Sequence, residues 1–172
     1  MAVKAIDTQY RGYLFRSRLE ARWAIFFDTI GIEWEYEPEG YTLSTGERYL
    51  PDFWLPRFCD PASGVFVEVK PRTGDDAKAQ QLARDSGHSV LLLVGTPAFK
   101  PYTLFDSNGN ADFDAVFMSK YLPGGSHSGE YRMFYASGWG GAYAGDLESP
   151  YARAVAAARS ARFEHGADQP RL

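Results

Sequence analysis

Three observations place the chain in the α/β class, as a mixed four-stranded sheet flanked by helices. Residues 16–30, RSRLEARWAIFFDTI, repeat apolar side chains at helical spacing through Leu19, Trp23, Phe26 and Ile30. Residues 65–70, VFVEVK, alternate strictly, so Val65, Val67 and Val69 share one strand face and Phe66, Glu68 and Lys70 the other. Residues 88–95, HSVLLLVG, form a continuous apolar run after a polar, helix-like stretch. A run of that kind is the mark of a buried strand lying parallel to its neighbour. The expected order is helix, three strands, helix, strand.

Each element follows from local signals. Ser17 suits the N-cap of the first helix, with Glu20 three residues on as in a capping box, and Gly31 supplies the stop. Ile32, Trp34 and Tyr36 alternate with Glu33, Glu35 and Glu37, which predicts a half-buried strand over 32–38. Residues 41–55, YTLSTGERYLPDFWL, read as a hairpin turning near Ser44–Glu47; Pro51 lacks an N–H and puts its strand at an edge or breaks it. CDPASG (59–64) is a turn before VFVEVK. The second helix spans 75–87, with Asp75 and Asp76 at its positive end and Gly87 after it.

Beyond Gly95 the chain changes character. Residues 96–113 are rich in turn formers, 115–122 and 131–139 have strand character, and 124–130 and 138–145 are Gly-rich loops. Residues 149–164 predict a terminal helix, with Ser149 as cap and Pro150 in its first turn. The organisation is therefore a core at 1–95 and a Gly- and Tyr-rich extension at 96–172 packed on it, together one domain of 172 residues.

Composition narrows the chemistry. One cysteine, Cys59, leaves neither an intramolecular disulfide nor a multi-cysteine zinc site, and fits a reducing compartment. Met1 to Asp7 holds no apolar run, and WAIFF and VLLLVG are too short to span a bilayer, so the expectation is a cytoplasmic protein with no membrane partner. A net charge of −4 argues against a protein that coats nucleic acid indiscriminately. The charge is unevenly placed: residues 1–30 carry +2, residues 31–70 carry −5. An acidic centre beside a mildly basic first helix suits a metal site flanked by phosphate contacts, although on charge alone an ordinary solvated surface is the better reading.

Four residues carry potential chemistry. Asp52 ends a strand after Pro51; Glu68 and Lys70 project from one face of the next strand. A carboxylate on an otherwise apolar strand costs free energy unless it is paired or binds something. Hard divalent cations take one or two carboxylates together with water and substrate phosphate, and here Asp52 and Glu68, with a backbone carbonyl near Val69, offer such a set. A cation so held acidifies its water and neutralises phosphate charge, while Lys70 orients or deprotonates that water. Glu20 flanks the apolar stripe of Trp23 and Phe27; it serves either as a further metal ligand or as the helix cap.

The ordered set of helix Glu20, Pro51-Asp52 and Glu68-Val69-Lys70 resembles the PD-(D/E)XK nuclease superfamily over roughly residues 10–95. YRGYLFRSRLEARWA with YLPDFW and EVK is also similar to small proteins of phages and their bacterial hosts. The resemblance implies a restriction-endonuclease-like core and Mg²⁺- or Mn²⁺-dependent hydrolysis of DNA phosphodiesters. It implies that Asp52, Glu68, Glu20 and the Val69 carbonyl hold the cation and that Lys70 assists the water. It further implies phage or mobile-element DNA processing, and it allows a homodimer. A Lys or Gln on the family's second helix often faces the site, and Lys78, Gln80 and Gln81 are the candidates here. The rival expectation is an inactive protein on the same scaffold that binds nucleic acid or a host protein.

The remaining residues have two readings each. Arg11, Arg16, Arg18 and Arg22 suit phosphate contacts or a solvated face. Trp34, Trp54 and Trp139 suit core packing better than base stacking, and Arg153, Arg159 and Arg162 suit a solvated helix face. His88 reads as a strand-end residue; His127 lacks a His–metal nuclease signature, and Cys59 lacks a partner His.

Overall fold

The computed structural model describes residues 7–60, 63–74, 76–121, 127–135 and 150–163. A small hairpin, β1 (Thr8–Tyr10) and β2 (Tyr13–Phe15), precedes helix α1 (Arg18–Ile30). There follow β3 (Glu35–Tyr36), a second small hairpin of β4 (Tyr41–Thr42) and β5 (Arg48–Tyr49), then β6 (Phe53–Asp60) and β7 (Ser63–Lys70). Helix α2 (Ala77–Ser86) leads to β8 (Ser89–Val94), β9 (Tyr102–Phe105), β10 (Ala111–Tyr121), β11 (His127–Tyr135) and helix α3 (Pro150–Ser160).

One mixed sheet organises the molecule, in the order β11-β10-β9-β8-β7-β6-β3. Its single parallel pair is β7 with β8, in register from Val65 opposite Ser89 to Lys70 opposite Val94. The crossover through α2 makes that pairing accessible. The neighbouring pairs, β6 with β7 and β8 with β9, are antiparallel.

Strand alternation sends side chains to two separate cores. Val65, Val67, Val69, Leu91 and Leu93 pack with Trp23, Phe26 and Phe27 of α1 and with Ala154, Val155 and Ala158 of α3. On the opposite face Phe66, Val90 and Leu92 meet Ala79, Leu82 and Ala83 of α2, together with Leu43 and Tyr49 of the β4–β5 hairpin. That hairpin is tied to α2 by the Lys78–Glu47 ion pair and by Asp85, which accepts the Ser44 N–H at 2.7 Å.

Helix α1 is capped as its sequence dictates. The Ser17 hydroxyl accepts the Glu20 N–H at 3.2 Å, and Gly31 closes the C-terminus at φ 73°, a conformation in which a Cβ is strained. Asp76 stands at the N-cap of α2, at the positive end of the helix, without a side-chain capping bond, and Gly87 terminates the helix in the left-handed conformation.

Several expectations need correction. The strand expected over 32–38 pairs only at Glu35 and Tyr36; beyond them Glu37 adopts φ 46° and turns the chain. The span 41–55 is two units: Pro51 breaks it, leaving β4–β5 as a separate hairpin and β6 in the main sheet. Residues 102–105, expected to be irregular, form β9, whose Tyr102, Leu104 and Phe105 are buried. Residues 127–130 belong to β11 and not to a loop. The hairpin β1–β2 carried no periodicity strong enough to read. Residues 96–135 do more than pack on the core; they add three strands to its sheet. Asp75, the loop at 138–145 with Trp139, and Ser149 lie outside the described residues. Among the described residues no helix is long and apolar enough to cross a membrane.

A candidate carboxylate site at the strand ends

Among the described residues three acidic or basic side chains are buried, and they are Glu20, Asp52 and Glu68. Charge is expensive to bury, so its concentration in these three is informative.

The β6–β7 pairing brings two of them together. Phe53 lies opposite Val67, and Asp52 precedes Phe53, so Asp52 arrives beside Glu68. Two backbone groups lock this junction. The Asp52 N–H donates to the Val67 carbonyl at 3.1 Å, and the Val69 N–H donates to Asp52 Oδ2 at 2.7 Å. The aspartate side chain thus replaces a ladder acceptor where the strand is interrupted at Pro51. Burial, then the neighbouring Glu68 charge, raise the Asp52 pKa well above the ordinary carboxylate range; the Val69 N–H opposes this, and Glu20 adds to it. Arg16 Nη2 lies 3.6 Å from Asp52 Oδ1, a partial counter-charge.

Glu68 has one satisfied oxygen. Lys70 Nζ donates to Oε1, as two residues on one strand face permit, while buried Oε2 has no hydrogen-bond partner among the described residues. Glu20 is held on both oxygens: the Ser17 hydroxyl donates to Oε1 at 2.6 Å and the Tyr36 hydroxyl to Oε2 at 2.7 Å. The Arg16 backbone N–H donates to the same Tyr36 hydroxyl at 3.0 Å. Glu20 therefore does act in the cap, and it also lies near enough to Asp52 to affect its charge.

Glu68, with an orphaned buried oxygen, beside Asp52, whose charge burial disfavours, is a fitting donor pair for a hard divalent cation. Among the described residues, however, no group of three His, Cys, Asp or Glu stands ready to hold a metal ion. Glu20 is turned to Ser17 and Tyr36, and Lys70 donates to Oε1 of Glu68. Val69 enters the site through its N–H.

The other sequence candidates are engaged elsewhere. Arg11 sits in the β1–β2 turn at φ 49° and pairs with Asp28 at 2.5 Å. Arg16 pairs with Glu37 as well as approaching Asp52. Arg18 donates to the Phe163 carbonyl at 3.4 Å, and Arg22 donates to the Ala158 and Arg159 carbonyls, capping α3. Lys78 pairs with Glu47, Gln80 donates to the Gly109 carbonyl and Gln81 to Ser44 Oγ. Of these, Arg16 lies against a site carboxylate, Asp52. Trp34 and Trp54 pack against neighbouring rings, as expected of core residues. Two tyrosines at the site were not legible in the sequence: Tyr36, whose hydroxyl donates to Glu20, and Tyr49, whose buried hydroxyl feels the Glu68 charge. Their only signal was an aromatic ring with a polar tip at a buried strand position.

No family model matches this chain, and neither a curated protein nor a solved structure matches it.

Proposed function

We propose that the protein is a divalent-cation-dependent endonuclease acting on DNA phosphodiesters. The observation that carries this reading is the burial of Glu20, Asp52 and Glu68 alone among the described acidic and basic side chains, with Lys70 beside Glu68. Mg²⁺, or Mn²⁺ in its place, would be held by Asp52 and Glu68, with Glu20 reached after release from its cap. The bound ion would supply Lewis acidity and an acidified water. Lys70, with its side chain 36% exposed, sits where it can orient that water or meet developing negative charge. The motif resemblance to PD-(D/E)XK nucleases supports the same assignment, and on that resemblance alone the role is processing of phage or mobile-element DNA, as a monomer or a homodimer.

The test is cleavage of supercoiled plasmid and of a four-way junction with Mg²⁺, Mn²⁺ or EDTA. Cutting is expected with either metal, abolished by EDTA, and reduced by roughly 100-fold or more in Asp52→Ala and Lys70→Ala. A second reading, an inactive scaffold that binds nucleic acid or a protein, is favoured by one observation: Glu20 and Lys70 already have partners within the fold. A folded wild type that cuts neither substrate with either metal, nor RNA or single-stranded DNA, decides for it.

A further inference from the structure

Tyr49 is the second unpartnered polar group at this site. Its ring lies in the core between the sheet and α2, and its hydroxyl is buried with no hydrogen-bond partner among the described residues. Burial raises the pKa of this hydroxyl, and among the nearby carboxylates Glu68 adds most, by charge and by hydrogen bonding, with Asp52 and Asp76 adding less. Glu68 Oε2 is likewise buried and unpartnered. A buried donor thus adjoins a buried acceptor, near enough for the two to interact and yet short of a full hydrogen bond. Leaving either unmade is costly, and both together imply a state in which they are used.

We propose that Tyr49 is a positioning residue of the carboxylate site: its hydroxyl donates to Glu68 Oε2 when a divalent cation draws Glu68 into line. The inference rests on the cation-site reading above and adds a residue to it. Without the cation, Lys70 draws Glu68 by its other oxygen, and Asp52 repels it. With the cation, the attraction between carboxylate and metal replaces that repulsion, and a small side-chain rotation brings Oε2 to the phenol. Hydrogen bonds of this outer kind hold a metal ligand at its working angle. The β4–β5 hairpin that carries Tyr49 is fastened to α2 through Lys78, Gln81 and Asp85, so the hydroxyl is presented from a fixed frame.

The experiment compares wild type, Tyr49→Phe and Tyr41→Phe by thermal unfolding in EDTA and in graded Mn²⁺. Tyr41 shares the hairpin, but apart from burial it is Glu39, not a site carboxylate, that raises the pKa of its hydroxyl. Tyr49→Phe is expected to match or exceed wild-type Tm in EDTA, because it deletes an unsatisfied buried donor, and to bind Mn²⁺ about 10-fold more weakly. Tyr41→Phe should bind as wild type does. Unchanged Mn²⁺ affinity in Tyr49→Phe overturns the proposal alone, as does a Tm in EDTA well below wild type, which marks a merely structural hydroxyl. Equal losses in both variants overturn it too. Absence of any Mn²⁺ effect on wild type overturns the cation reading and this proposal together.

Discussion

Asp52 is held in an environment that disfavours its charge. Burial and Glu68 raise its pKa, so the folded state retains a proton that the unfolded chain releases near the ordinary aspartate value of 3.8. The penalty is therefore absent below that pH, grows as pH rises towards the folded pKa, and is fully present above it. Asp52→Asn removes the charge while its amide oxygen can still accept the Val69 N–H. We expect the cation-free variant to exceed wild type by roughly 0.5–2 kcal/mol at neutral pH, with the advantage vanishing near pH 4. Urea denaturation across pH 4–8 in EDTA reads this directly; a variant less stable than wild type at pH 7 contradicts it. Glu68 and Lys70 stood out in the sequence because they share one face of an otherwise apolar strand, and Asp52 because it follows Pro51 at a strand end. Tyr49 did not, because an aromatic residue on a strand looks the same whether its hydroxyl faces water or a carboxylate.

Elements were legible where period and punctuation agreed. Helix α1 combines apolar spacing, Ser17 and Gly31, and it forms where these signals put it. Strand β8 is a pure apolar run and pairs in parallel with β7, as a crossover through α2 requires. Strand β9 was missed because Pro101 and Lys100 precede it and suggest a turn; its order comes from partners far off in sequence, such as Trp23, whose ring lies 5.5 Å from that of Tyr102. Strand β3 was overextended because alternation describes burial, not pairing. Ile32 and Trp34 do face inwards, but the ladder to β6 begins only at Glu35 opposite Trp54. Arg22 shows the same limit on the first helix: a row of arginines reads as phosphate contacts, yet this one closes the end of α3.

For the whole molecule, the division into a core and an appended extension gives way to one sheet. Tyr102, Leu104, Tyr151, Ala154, Val155 and Ala158 share the core with Trp23, Phe26 and Phe27. The Tyr151 hydroxyl donates to the Ala98 carbonyl at 2.8 Å, fixing α3 to the loop after β8. A chain cut after Gly95 loses the strand beside β8 and the helix over α1, which leaves an unpaired edge and an uncovered apolar face. We expect residues 1–95 alone to aggregate or to bind a hydrophobic dye without a cooperative thermal transition. A soluble fragment that unfolds cooperatively would restore the two-part description.

The junction of β6 and β7 has a kinetic consequence. Asp52 accepts from Val69 across only 17 residues of chain, so this contact closes a short loop. Short-range contacts of this kind are the ones a folding chain can make early. If this contact forms early, the crowding of Asp52 against Glu68 is already felt at the folding barrier. Asp52→Asn should accordingly speed refolding more than it slows unfolding, seen as a displaced folding arm of the chevron in EDTA. A change confined to the unfolding arm would place the meeting of the two carboxylates after the barrier.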